Sequence, residues 1–441
     1  MNIYIDCTDF VRGDGNTGIR RTERNVIVNM ISICSDRNIS CHLTYYDPLY
    51  GFIVVDNFSK GIGYFDSISL ATRQFLRLKN LFKKVFCFLL PSFIDRIWGK
   101  YTRFLFLPIF LSISLPCILL ANIVTHLSPK NIWKPSDKDI LFIPGSSWWS
   151  AFYNKAVAET KNNHAKIVTI IYDLIPITHR NFVTKMHEKN FSSKIDFALE
   201  SSDLILSISH DTAKVIEQYI SNHPSIHKKD IVAFKLGADL DLISDSLKVR
   251  EHIHKLFENN TVYISVGTVE PRKNYNFLLD VFECIWQTHP KIKLCIIGKY
   301  GWESDATIAR IQSHPMFGSS LIWFQDLSDN ELSFSYKNAQ ALIFPSMTEG
   351  FGLPLVEALS FNCPVLASDI PVFHEIGGNH CSYFSLTNKD ELISLIHNSL
   401  CVSRVVSGEH AENFSWPTWK ECTAEILDII QKNINESNLA K

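Results

Sequence analysis

"FPSMTEGFGLPLVEALS", residues 344–360, decides the fold. Its left flank, "ALIFPS" (341–346), is a short apolar run of the kind that fills a buried parallel strand. Gly350 and Gly352 then punctuate a loop, and Pro354 stands where the first turn of a helix accepts proline. Strand, glycine loop and helix in that order make one βα unit, with its ligand side at the carboxyl end of the strand. Glu349 is therefore expected at the strand end, facing a cleft, and Glu357 in the first turn of the helix, where the macrodipole favours an anion. The backbone N–H groups of Gly350, Phe351, Gly352 and Leu353 are expected to receive phosphate or sugar oxygens, since glycine permits close approach. A carboxylate at Glu357 suits two vicinal hydroxyls of a ribose.

The same alternation runs outward in both directions. "TVYISVG" (261–267), a helix near 274–288, "IKLCIIG" (292–298), a helix near 303–312 and "SLIWFQ" (320–325) precede it, and "PVLASD" (364–369) follows. The first half repeats the pattern with "MNIYID", a helix near 18–35, "ISCHLTYY" (39–46), "DILFIP" (139–144), "KIVTIIYDL" (166–174), "DLILSIS" (203–209) and "DIVAFKLG" (230–237). Helical patterns near 150–160, 185–200 and 210–221 separate the later strands. Such alternation predicts an α/β fold with parallel, doubly wound sheets. The polar stretch 238–255 reads as the connection between an N-terminal domain, 1–237, and a C-terminal domain, 256–415. The tail reads as a helix with Ser415 as its N-cap, residues 416–441 crossing back to the N-terminal domain. Two Rossmann-like domains facing one another are the expected architecture.

Bulk properties narrow the function classes. With 441 residues there is room for two cores, and 46% hydrophobic with 20% charged residues describes an ordered chain. A net charge of −2 offers no field for nucleic acid. Eleven cysteines without a C-x-x-C pair suit a reducing cytoplasm, and no basic run precedes an apolar core at the start. Residues 104–125, "FLFLPIFLSISLPCILLANIVT", carry no charge over 22 positions, and 72–103 hold eight basic residues against Asp95 alone. The expectation for 72–126 is an interfacial helical pair on an anionic membrane surface; a buried insert and a true span stay open.

Two further motifs stand at strand ends. In "SVGTVEPRKNYNFLLDVF" (265–282) a strand ends at Gly267, and Arg272 and Lys273 precede a helix. Two cations there suit a departing diphosphate, stabilising charge as it develops without a metal. In "IIYDLIPITH" (170–179), Asp173 follows a strand of the N-terminal half, where it suits either the orientation or deprotonation of an acceptor, or the capping of its own loop. Near the start, "VRGDGNTGIRRTERNV" (11–26) places glycines at 13, 15 and 18, the spacing of a dinucleotide-binding turn.

Together these motifs resemble the retaining glycosyltransferases of family 4, which have the GT-B architecture. Glu349 and Glu357 look like that family's E-x7-E signature, in which the first glutamate contacts the donor sugar and the second the nucleotide ribose. Arg272 and Lys273 resemble its diphosphate-binding pair beside Gly267; many members carry arginine directly after that glycine, where this chain has Thr268. Similar sequences often read His-Asp where this chain has Tyr172 and Asp173. The run Thr17, Gly18, Ile19, Arg21 looks like the family's first loop, with Arg20 and Arg24 alongside, closing over donor phosphates and acceptor. The resemblance implies a nucleotide-diphosphate sugar as co-substrate, no cofactor and no metal. "TGI-x-R", "YDLIPI" and "GTVEPRKN" together look most like bacterial mannosyltransferases of O-antigen and capsular polysaccharide assembly. That implies GDP-mannose as donor, with dTDP-rhamnose or a UDP-sugar as alternatives. The apolar, basic insert 72–126 suits a polyprenyl-diphosphate-linked oligosaccharide acceptor and a peripheral position on the inner face of the cytoplasmic membrane. A nicotinamide-dependent oxidoreductase, resting on glycines 13, 15 and 18, and a catalytically inactive scaffold of the same fold remain open. The D-x-D spacing at 239–241 falls in the connection, so it is not read as a metal site.

Overall fold

Buried strands alternating with helices make up the computed structural model, which describes residues 1–12, 18–47, 50–55, 131–146, 151–240, 249–401 and 414–439. Its strands are β1 (Asn2–Asp6), β2 (Ser40–Asp47), β3 (Gly51–Val54), β4 (Asp139–Ile143), β5 (Lys166–Ile171), β6 (Leu204–Ser207) and β7 (Asp230–Ala233), then β8 (Val262–Val266), β9 (Lys293–Ile297), β10 (Leu321–Phe324), β11 (Ala341–Phe344), β12 (Val365–Ser368) and β13 (Cys381–Phe384). The first seven form one sheet and the last six another. Two parallel-dominated sheets in an α/β arrangement are the Rossmann-like pair that the alternation predicts.

The chain divides into two compact units, Met1–Ile27 with Cys34–Lys166, and Val28–Ile33 with Ile167–Lys441. In the first, strand order is β3-β2-β1-β4. β1 is parallel to both β2 and β4, while β3 returns antiparallel along β2. The expectation of purely parallel pairing fails at that edge, because a connection of three residues, 48–50, permits only a hairpin. The second unit holds β5, β6 and β7 in order, all parallel, and the separate all-parallel sheet β10-β9-β8-β11-β12-β13. Counted within itself, this last sheet has the order 3-2-1-4-5-6 of a dinucleotide-binding fold. Its strand order reverses between β8 and β11, so the crevice for a ligand opens at their carboxyl ends.

The helix Tyr275–Thr288 shows why the sheet is stable. Tyr275, Leu278, Leu279, Phe282, Ile285 and Trp286 recur at helical spacing and are buried. They pack on Tyr263, Leu294, Ile296 and Ile343 of the sheet. Each such side chain contributes about 1.5–3 kcal/mol by leaving water.

Other expectations need correction or fall outside the described residues. The C-terminal helix begins at Trp419, and its cap is Thr418, not Ser415. Thr418 Oγ1 accepts the Glu421 N–H at 3.2 Å while Glu421 accepts the Thr418 N–H at 2.8 Å, the reciprocal capping box of a T-x-x-E spacing. Asp239 accepts the Trp419 N–H, which ties the end of the first D-x-D residue to this helix start. Gly13, Gly15, Thr17, Asp241 and the whole insert 72–126 lie outside the described residues. Among the described residues, no helix is long and apolar enough to cross a membrane.

Candidate active site

The loops leaving β8 and β11 converge at the switch point. Gly267 directly follows β8 with φ +151°, and a Cβ there would lie 3.2 Å from Lys273 Cε, so glycine lets the lysine stem cross the backbone. Thr268 lies half-buried in this loop. A short turn, Pro271–Lys273, then presents the two cations, and Asn274 reverses the chain at φ +57° into the next helix. The Tyr275 hydroxyl donates to Gly267 O at 2.7 Å and locks the turn.

Both cations close on one carboxylate. Lys273 Nζ donates to Glu349 Oε1, and Arg272 donates to Glu349 Oε2. Arg272 also donates to Thr348 O at 3.2 Å and to Glu270 Oε1 at 2.9 Å. Lys273 Nζ lies 4.8 Å from the centre of the Phe344 ring. Side-chain exposure is 9% for Lys273, 8% for Glu349 and 19% for Arg272, so water screens this cluster weakly. Burial pushes the Glu349 carboxyl up, yet Arg272 and Lys273 pull it down to about 2. Burial lowers Lys273, with Glu349 opposing. Burial also works against Arg272, but Glu349, Glu270 and Asp173 outweigh it and hold the guanidinium charged.

Asp173 joins this group from the loop after β5. Its Oδ1 accepts the Ile175 N–H at 3.0 Å, which caps its own loop. Burial raises its pKa, and Arg272 opposes the rise. Gly350 is the contact that brings it close: a Cβ at Gly350 would meet Tyr172 O at 2.3 Å and Asp173 Cβ at 3.1 Å. The Gly350 carbonyl accepts from Ser209 Oγ at 2.8 Å and Thr212 Oγ1 at 3.1 Å. Phe351 is buried, and Gly352 sits at φ +123°, a conformation that favours glycine, where a Cβ would also lie 3.0 Å from Phe373 Cε1. Leu353 starts the helix Leu353–Ser360.

Glu357 is placed differently from the expectation. That helix carries no acid in its first turn, and Glu357 is its fifth residue. Its carboxylate is buried and accepts from Tyr336 Oη at 2.9 Å. The dipole of the helix end thus acts on it weakly, and the tyrosine fixes its orientation instead. Gly18 and Arg21 belong to the first unit, where Gly18 opens the helix Gly18–Asp36 and Arg21 is half-buried on its first turn.

Sequence reasoning passed over four residues here. Glu270 stands inside the quoted motif, two positions before Arg272, and divides the guanidinium with Glu349. Tyr336, Ser209 and Thr212 carry no motif of their own; only the buried carboxylate and the glycine carbonyl they serve give them meaning.

Comparison with known proteins bears on the family and the fold. Residues 249–399 match the family described as "Glycosyl transferases group 1". The serotype-specific mannosyltransferase WbdA of Escherichia coli is 31% identical over 265 residues, covering 58% of this chain and 32% of that protein. The chain therefore spans about a third of the length of WbdA. The O-antigen chain mannosyltransferase B of Escherichia coli is 26% identical over 277 residues, covering 60% of this chain and 69% of that protein. Among solved structures, Anabaena Alr3699/HepE, crystallised with UDP and glucose, superposes with a TM-score of 0.54 at 13% identity and 100% coverage of both chains. The chain thus carries a glycosyltransferase group 1 domain in a two-domain, Rossmann-like GT-B fold, the family whose motifs 265–282 and 344–360 resemble.

Proposed function

We propose that this protein is a retaining, metal-independent glycosyltransferase. It moves mannose from GDP-mannose to a growing, polyprenyl-diphosphate-linked bacterial surface glycan, working at the inner face of the cytoplasmic membrane. The observation that carries the reading is the clamp of Arg272 and Lys273 on Glu349 at the switch point of the C-terminal sheet.

In the reaction the bond between the sugar C1 and the β-phosphate oxygen breaks, and the acceptor oxygen bonds to C1 from the same face. A non-bridging phosphate oxygen takes the acceptor proton. Arg272, Lys273 and the N–H groups at the start of the helix Leu353–Ser360 stabilise the charge that develops on the diphosphate. Glu349, kept ionised by its two cations, faces the positive charge that develops on the sugar ring. Glu357, oriented by Tyr336, holds the ribose hydroxyls. Asp173 orients the acceptor. The mannose donor is supported by the motif likeness and by relatives named as mannosyltransferases. The membrane contact rests on the composition of 72–126.

The test is transfer from a panel of GDP-, UDP- and dTDP-sugars by wild-type, Lys273→Ala and Glu357→Ala protein. Each variant is expected to lose more than tenfold in kcat/KM, about 1.4 kcal/mol of transition-state stabilisation. Transfer that survives within tenfold in both variants contradicts the site.

A further inference from the structure

The loop that follows β9, "GKYGW" (298–302), is fused to the loop that carries the cations. Val269 N–H donates to Lys299 O, and Gly301 N–H donates to Val269 O, both at 2.9 Å. A Cβ at Gly298 would fall 2.0 Å from Gly267 O, and one at Gly301 2.4 Å from Val269 O. Both glycines are therefore required for the two loops to lie flush. Their contact delivers the next residue, Trp302, to Glu270: the indole Nε1 donates to Glu270 Oε2 at 2.6 Å. The other oxygen of Glu270 accepts from Arg272, and Arg272 pairs with Glu349. A continuous chain of polar contacts thus runs from the sugar-facing glutamate to an indole.

That indole is anchored but not buried. Trp302 is 39% exposed, and Tyr300, on the same loop, is 50% exposed. His187, exposed on the helix Lys185–Ser201, lies nearly parallel to it, with ring centroids 6.3 Å apart and planes 16° from each other. This helix follows the Asp173 loop after two short turns. A lone exposed aromatic residue is ordinary. One whose polar edge is tied into a buried charge cluster while the residue stays 39% exposed is built as a platform. The apolar C–H face of a pyranose carries positive-edge hydrogens that stack on the negative face of an aromatic ring.

We infer that Trp302 is a binding platform for a sugar ring of the glycan acceptor. The inference rests on the glycosyltransferase reading and deepens it by adding an acceptor subsite. The acceptor is favoured over the nucleobase for two reasons. The ribose-binding candidate, Glu357, is held by Tyr336 outside the Glu270–Arg272 chain, and the neighbour of Trp302 is the helix that continues from Asp173.

The experiment is calorimetric titration of the full chain with an α-linked mannotriose and, separately, with GDP, UDP and dTDP. The Trp302→Ala variant is expected to bind mannotriose about tenfold more weakly than wild type, with GDP affinity unchanged within twofold. Trp302→Phe, which keeps a ring and loses the N–H, is expected to recover most of the mannotriose affinity. Unchanged mannotriose binding in Trp302→Ala overturns the inference. So does a loss of GDP binding alone, which would assign the indole to the nucleotide. Failure of the underlying reading looks different: wild-type protein binds none of GDP, UDP and dTDP, and the inference falls with it.

Discussion

Lys273 and Glu349 form an ion pair with both side chains less than a tenth exposed, 76 positions apart in the chain. Removing one partner of such a pair leaves the other charge buried and uncompensated, at a cost of about 3–5 kcal/mol. Glu349→Ala is therefore expected to lower stability strongly, since it removes the carboxylate that Lys273 pairs with and leaves Arg272 to Glu270. A diphosphate that binds between the two cations supplies the missing negative charge. Thermal unfolding with and without GDP is expected to show a larger stabilising shift in Glu349→Ala than in wild type. An equal or smaller shift would mean that the diphosphate does not meet these cations.

The same pair sets an acid limit. Glu349 has its pKa lowered from 4.5 to about 2. A lowered carboxyl contributes stability above its unfolded value, and that contribution is lost as pH falls from about 4.5 toward 2. Denaturant midpoints across that window are expected to fall more steeply for wild type than for Glu349→Gln. Parallel profiles would remove Glu349 as the cause.

Asp6 acts with the opposite sign in the first unit. It is buried against Thr8 and the Tyr153 hydroxyl, which donates to Oδ2 at 2.6 Å. Burial raises its pKa from 3.8 to about 6, against the pull of those hydrogen bonds. Its folded form holds a proton that the unfolded chain has released, so stability falls as pH rises from about 4 through 6. The loss is at most about 3 kcal/mol. Asp6→Asn is expected to flatten the pH profile over that range, and an unchanged slope would contradict the assignment.

Gly350 is the steric pivot of the site. The Cβ of Gly350→Ala would stand 2.3 Å from Tyr172 O, a backbone atom that cannot swing away. Overpacking of this kind costs about 1–3 kcal/mol and displaces the loop that carries Glu349. The variant is expected to lose stability in that range together with transfer activity. Wild-type activity would show that the Gly350 loop need not touch Tyr172.

Most strands are legible because they pair in parallel and carry buried apolar runs, as "TVYISVG" and "ALIFPS" do. β3, β13 and the helix Asp329–Asn338 are not, for different reasons. β3 is an antiparallel edge strand of four residues, and β13, also an edge strand, is only partly buried. The helix is amphipathic only weakly; its clearest signal is the Ser328–Glu331 capping box. At the site, the strand-end positions of Glu349, Arg272 and Lys273 follow from local pattern. Their mutual neutralisation does not, because it depends on how two loops distant in sequence meet. Glu357 was misplaced by one helical turn for a simple reason: the helix begins at Leu353, and the acid is four residues further on.

Crystals of the full chain grown with GDP test the central claim most directly. The account predicts the diphosphate within hydrogen-bonding distance of Arg272 and Lys273, and the ribose hydroxyls on the Glu357 carboxylate. A nucleotide bound elsewhere, with Glu349 still closed on both cations, would contradict it.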